Sequence, residues 1–168
     1  LSKVQDIAAD PVVEFGTNLT TLRFETPDGT GIAGATVEYN AGGWKPFGTT
    51  GADGNATKEL LPMSYTFRIT HEGMTKSTTQ DIGIDPLVVF TTNETTVRFT
   101  SSTGIGISGA FVEYYAGGWQ SFGSTGVDGN TTKGLLPKSY TFRITSDGAT
   151  LSKVQDIAAD PVVEFGTN

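Results

Sequence analysis

Four asparagines in this 168-residue sequence are followed two positions later by threonine: Asn18-Leu-Thr20, Asn55-Ala-Thr57, Asn93-Glu-Thr95 and Asn130-Thr-Thr132. Attachment of an N-linked glycan requires an asparagine amide, a hydroxyl residue two positions on, and an accessible loop. Of the six asparagines only Asn40 stands outside the pattern, since Asn168 falls at the same phase as Asn18 and Asn93. The sites sit at an Asp-Gly-Asn turn or at the seam between repeated segments. The expectation is therefore N-glycosylation at Asn18, Asn55, Asn93 and Asn130, which places the chain outside the cell or on its surface. The competing reading is an ordinary turn in a Thr-rich chain, where such triplets arise by chance.

Trp44 and Trp119 each follow Ala-Gly-Gly, which leaves the indole little shielding from its neighbours in sequence. Three uses fit: stacking on a sugar ring, packing on the adjoining repeat, or folding over the end of its own sandwich. Catalysis has little to work with. His71 is the sole histidine, and Ser146 occupies the matching position of the second repeat, so no site built on it belongs to the repeated unit. Asp53 and Asp128 each stand beside a glycine, but one carboxylate offers too few oxygens for a six- to eight-coordinate calcium ion. There is no cysteine, which removes disulfides, thiolate metal sites and thiol nucleophiles together. The expectation is no enzyme, no metal and no cofactor other than covalent glycans.

The elements that position these residues recur. Residues 1–18 and 151–168 are identical, and a diverged copy fills 76–93, with Gln5, Gln80 and Gln155 each 75 residues apart. Neighbouring copies have drifted while next-but-one copies have not, so the larger period is 150 residues. Such self-similarity marks an array. It divides the chain into a strand pair at 1–18, belonging to a preceding repeat or donated to another chain, and repeats at 19–93 and 94–168.

Within a repeat, short stretches alternate apolar and polar residues, the mark of a half-buried strand. Leu22 and Phe24 alternate with Thr21, Arg23 and Glu25; Val37 and Tyr39 follow; Tyr65, Phe67 and Ile69 form the clearest case. Pro46 makes the strand after Trp44 an edge, and Asp53-Gly54 is the dipeptide that best supplies positive φ to a turn. Arg23, Arg68, Arg98 and Arg143 alternate with apolar residues and so line a solvated face, with Glu38 and Glu113 as cross-strand partners. Residues 1–18 read as two strands, to Asp6 and from Val12 to Phe15, about a turn at Ala-Ala-Asp-Pro. Seven short strands per repeat predict an all-β protein of two tandem seven-stranded antiparallel sandwiches.

The run Gly31-Ile-Ala-Gly-Ala-Thr-Val, then Gly51-Ala-Asp-Gly-Asn, then Leu61-Pro-Met-Ser-Tyr resembles the prealbumin-like sandwich repeats, the carboxypeptidase-regulatory-like and collagen-adhesin B-type modules. The second repeat carries the same series at Gly106, Gly126 and Leu136. The resemblance implies a tandem sandwich of an extracellular stalk or spacer. Some relatives lock themselves with an isopeptide bond from a first-strand lysine; Arg23 and Arg98 stand in the first strands here and cannot form it.

A net charge of −7 with scattered basic residues argues against nucleic acid, which needs clustered Lys and Arg. No stretch approaches the roughly 20 apolar residues of a membrane span. Only Asn93 and Glu94 separate the last strand of one repeat from the first of the next, so the array should be semi-rigid. The expected function is that of a structural subunit of an extracellular glycosylated fibre whose partners are copies of itself, in one continuous chain or by strand donation. A surface adhesin that grips glycans with Trp44 and Trp119 is the alternative.

Overall fold

A computed structural model describes residues 2–167. Fourteen strands and no helix appear among the described residues: β1 (Asn18–Glu25), β2 (Thr36–Asn40), β3 (Trp44–Thr49), β4 (Asn55–Leu60), β5 (Ser64–His71), β6 (Met74–Asp81) and β7 (Leu87–Thr91), then β8 (Asn93–Thr100), β9 (Phe111–Tyr115), β10 (Trp119–Ser124), β11 (Asn130–Leu135), β12 (Ser139–Ser146), β13 (Ala149–Asp156) and β14 (Val162–Gly166). They form four sheets, ordered β4-β1-β7, β3-β2-β5-β6, β11-β8-β14 and β10-β9-β12-β13. The chain is all-β, with seven strands per repeat arranged as a three-stranded and a four-stranded sheet. No helix is long and apolar enough to cross a membrane.

Two compact units result. Unit 1 takes in the chain to Glu25, then Gly31–Thr70 and Lys76–Phe90; unit 2 takes in Thr26–Thr30, His71–Thr75 and the chain from Thr91 onward. The core of each comes from strand alternation. Leu22, Phe24, Val37, Phe67 and Ile69 are fully buried in unit 1, as are Val97, Val112, Phe142 and Val163 in unit 2. Edge-to-face aromatic pairs thicken the core, with Phe47 against Phe67 and Phe122 against Phe142, ring centroids 5.9 Å apart in each. Gly31 and Gly54 allow two loops to touch: a Cβ on Gly31 would lie 2.1 Å from the Asp53 carbonyl oxygen, and one on Gly54 2.3 Å from that of Phe24. Gly106 and Gly129 repeat the contact in unit 2. The turn glycine of each Asp-Gly pair has the positive φ expected, 78° at Gly54 and 77° at Gly129. β3 pairs only with β2, Pro46 standing opposite Glu38 at a register shift, so proline sits at an edge where its missing donor costs no ladder bond.

The sandwich is not wholly antiparallel. β14 runs parallel to β8, Val163 opposite Val97 and Phe165 opposite Phe99. The reason is a crossing between sheets: β13 pairs with β12 in the four-stranded sheet, the chain turns at Asp160-Pro161, and β14 enters the three-stranded sheet. The sequence 151–168 is accordingly a pair of strands in two different sheets, not a hairpin.

Residues 2–17 carry the same sequence but pair with no sheet. The expected strands do not form there, although their turn does. Asp6 O accepts from Asp10 N at 3.0 Å, and Gln5 Nε2 donates to Asp10 O at 3.0 Å. The same bonds recur at Asp156, Asp160 and Gln155, with 3.0 and 3.1 Å. Local chemistry thus builds the turn in both contexts, whereas strand formation waits on a partner sheet. Ile7, Val13 and Phe15 are 68%, 40% and 54% exposed, while Ile157, Val163 and Phe165 are 0%, 0% and 6% exposed. Burying a side chain of this kind is worth about 1.5–3 kcal/mol. Unit 1 is completed by the middle copy instead: β7 lies beside β1, with Ile82, Val88 and Phe90 buried.

Candidate functional site

The four Asn-x-Thr sites fall into two kinds, set by strand periodicity. Asn18 and Thr20 share a face with Leu22 and Phe24, and Asn93 and Thr95 share one with Val97 and Phe99; that face is the core. Thr20 and Thr95 are fully buried. Asn18 Nδ2 donates to the Ile82 carbonyl and Asn93 Nδ2 to the Ile157 carbonyl, both at 2.8 Å. Each amide ties its repeat's first strand to the turn before its last. Asn55 and Asn130 open β4 and β11 on the outward face, where Thr57 and Thr132 are exposed. Their Nδ2 atoms donate to Asp53 Oδ2 at 2.8 Å and Asp128 Oδ2 at 2.9 Å. An amide has two hydrogens, so one such bond leaves the second available for substitution. Hydrogen bonds from the Asn55 and Asn130 backbone and side chains hold both aspartates below the usual carboxylate range. Asn168 lies outside the described residues.

Trp44 and Trp119 sit on the outer faces of the four-stranded sheets, each under a guanidinium. Arg68 Cζ is 4.1 Å from the Trp44 ring centroid and Arg143 Cζ 4.0 Å from that of Trp119, a cation–π geometry. The same arginines donate to Glu38 at 2.6 Å and Glu113 at 2.5 Å across the β2–β5 and β9–β12 pairs, the partners expected from strand register. Arg68 keeps Glu38 below its ordinary range. A Trp-Arg-Glu stack therefore recurs once per repeat, and one face of each indole is covered.

A further cluster lies inside unit 2, at the tip of the β5–β6 hairpin. Tyr114 Oη donates to Glu72 Oε2 at 2.5 Å, and Lys133 Nζ pairs with Glu72 Oε1 at 3.2 Å. Lys138 Nζ donates to the Thr75 carbonyl at 2.9 Å, and Met74 packs against the unit 2 core. Glu72 and Gly73 have φ of 46° and 77°, the left-handed pair of a two-residue hairpin turn. A Cβ on Gly73 would stand 2.2 Å from the Ala116 carbonyl oxygen, so the tip is pressed onto β9's end. Burial alone would raise the Glu72 carboxyl, but the Tyr114 and Lys133 contacts outweigh it and hold the group below its usual range. Burial, with the carboxylate beside it, pushes the Tyr114 hydroxyl up. His71 is half-buried at the same tip, and burial pushes its imidazole down. Sequence periodicity does not reveal this cluster, because its members lie far apart in the chain. A local signal exists: Met74 is one of the chain's two methionines, and it packs on the unit 2 core.

Among the described residues no three of His, Cys, Asp or Glu converge as metal ligands. Asp53 and Asp128 spend their oxygens on the turn that follows them.

No known protein family matches this sequence, nor does any curated protein. Solved structures do. The chain is similar to the streptococcal ancillary pilin, with 15% identity and a TM-score of 0.37 over 92% of this chain and 62% of that one. It is similar to the shaft pilin SpaA of Lactobacillus rhamnosus GG, with 13% identity and a TM-score of 0.33 over 88% of this chain and 96% of that one. To the Bacillus anthracis TIE protein it shows 14% identity and a TM-score of 0.34 over 90% of this chain, which spans a third of the other's length. These likenesses are distant, and the β-sandwich architecture rests on the strand pairing itself.

Proposed function

We propose that the chain is a structural subunit of an extracellular fibre or stalk built from tandem β-sandwiches, and that its partners are copies of itself. The observation that carries this is the double fate of one sequence: residues 151–167 bury Ile157, Val163 and Phe165 in a sandwich, while residues 2–17 expose the same side chains. An exposed apolar segment whose identical copy is buried as two strands calls for another sandwich body of the same kind, reached along a continuous chain or by donation to a second copy. Only Thr92 separates β7 from β8, a joint suited to a semi-rigid array. Acidic net charge keeps such a surface soluble.

Glycans on Asn55 and Asn130 suit this role, since their threonines face outward. Asn18 and Asn93, with buried threonines, accept a glycan only before their strands close. The adhesin alternative relies on Trp44 and Trp119, each of which has one face taken by an arginine; the fibre is accordingly the reading we adopt. The test is intact-mass measurement of native material before and after N-glycan release. A fibre gives high-mass species built from many repeats, which lose mass on release. Small discrete chains of unmodified mass count against both the fibre and its glycans.

A further inference from the structure

The surface that receives the hairpin tip in unit 2 has an equivalent in unit 1, and there it is open. In unit 2 the receiving surface is made by Tyr114, Ala116, Lys133 and Leu136, with Tyr140 behind them. Their counterparts 75 residues earlier are Tyr39, Ala41, Lys58, Leu61 and Tyr65. The framework is the same: Tyr39 stands edge-to-face on Tyr65 at 5.6 Å, as Tyr114 stands on Tyr140 at 5.8 Å. Exposure differs. Leu136 is 3% exposed and Leu61 40% exposed; Tyr114 and Ala116 are buried, whereas Tyr39 is half-buried and Ala41 exposed.

The β12–β13 tip, Ser146-Asp147-Gly148-Ala149, is the counterpart of the docked one. Asp147 and Gly148 hold φ of 49° and 80°, within a few degrees of Glu72 and Gly73. Asp147, Gly148 and Ala149 are exposed and Ser146 is half-buried, and a Cβ on Gly148 meets nothing within 4 Å.

We infer that the Lys58–Leu61–Met63 surface of unit 1 is a seat for the Asp147 hairpin tip of a second copy of this chain. Three features argue for this occupant. Asp147 supplies the carboxylate that Glu72 supplies in unit 2, and Lys58 and Tyr39 offer the ammonium and hydroxyl that Lys133 and Tyr114 offer there. The bulk is exchanged across the contact: the docked tip carries Met74 over a receiving surface with Lys138, while the open surface carries Met63, 43% exposed, and its tip carries the small Ala149. Thr17, at the end of the first copy of the repeated segment, donates to Glu59 beside Lys58, so the segment that leads into β1 runs next to the seat.

The seat deepens the fibre reading and rests on it. It also gives a physical reason for a 150-residue period: two kinds of tip contact, one of Glu72 with Met74 and one of Asp147 with Met63, alternate along the array. A Met74 tip set on Met63 would crowd the contact, and an Ala149 tip set on Lys138 would leave a gap, so each tip selects its own surface.

The chain has no cysteine, which makes disulfide trapping clean. Full-length chains carrying Met63→Cys are mixed under mild oxidation with chains carrying Ala149→Cys. The expected product is the mixed disulfide, formed well ahead of that between Met63→Cys and a control Val127→Cys, whose side chain is 94% exposed. In parallel, sedimentation of the cysteine-free chain follows self-association. Lys58→Asp or Asp147→Lys should each weaken association about two- to fivefold, and the double reversal should restore it. These positions are surface-exposed or half-buried, and a thermal melt of each variant checks that it folds. Equal trapping of the control overturns the seat. Association lost with Phe15→Asp but untouched by the charge reversals also overturns the seat, while leaving the fibre reading in place. A chain that remains monomeric at high concentration overturns both.

Discussion

Tyr114 Oη donates to Glu72 Oε2 at 2.5 Å, joining the core face of β9 to a hairpin tip 42 residues earlier in the chain. The carboxylate also takes Lys133, so a charged group at the margin of the unit 2 core has both oxygens engaged. Hydrogen bonds to a charged group are the stronger kind.

Tyr114→Phe should destabilise unit 2 by roughly 1–2 kcal/mol, the range for losing a bond to a charged partner at a partly wet site. Glu72→Gln should cost less, since the amide still accepts from the tyrosine. Chemical denaturation of the three chains checks the order, and an undisturbed Tyr114→Phe midpoint would remove the contact's importance.

Acid should loosen the same tip. Glu72 is held below its ordinary value, so its contribution is present above the unfolded carboxylate pKa and is lost as pH falls through the folded one. His71 is also pushed down, and its neutral form favours the folded state; that contribution fades as pH falls below the ordinary histidine value. Melting temperature should therefore decline in two steps on acidification, and Tyr114→Phe should blunt the lower one. A melting temperature flat through both ranges would contradict this.

Gly73 and Gly148 share a turn conformation but not an environment. Alanine at either meets the strain of positive φ, about 1 kcal/mol, while at Gly73 it also meets the Ala116 carbonyl. Gly73→Ala should be the more damaging substitution in the isolated chain. Equal losses would mean that the tip is not pressed onto β9.

Trp44 and Arg68 should couple energetically. A double-mutant cycle with alanine at each is expected to give about 0.5–1 kcal/mol, the scale of an exposed cation–π pair. Glycan-array binding by the wild-type chain that disappears with Trp44→Ala and Trp119→Ala would instead favour the adhesin.

Glycan occupancy should separate the two kinds of site. Peptide mapping of native material is expected to find Asn55 and Asn130 modified more fully than Asn18 and Asn93. The reverse ranking would show that the outward-facing threonines do not govern attachment.

Much of this architecture is legible in the residues. Period-two alternation at Leu22–Phe24 and Tyr65–Ile69 marks inward faces, Pro46 marks an edge, and Arg68 finds Glu38 from register alone. Even the inward placement of Thr20 follows from its phase with Leu22. The parallel pairing of β14 does not, because the crossing from one sheet to the other at Pro161 depends on which sheet offers a vacant edge, and no local pattern encodes that. Residues 2–17 show the same limit from the other side: their sequence specifies the Asp6–Asp10 turn, while the strands require a sheet that the sequence alone cannot supply. The Glu72 cluster is not legible in the sequence because Glu72, Tyr114 and Lys133 meet only in three dimensions.

The most direct measurement of the central claim is electron microscopy of native material. A structural array should appear as long filaments whose smallest axial repeat contains two sandwiches, matching the 150-residue period of the sequence. Isolated particles of one or two sandwiches, with no filaments at any concentration, would contradict it.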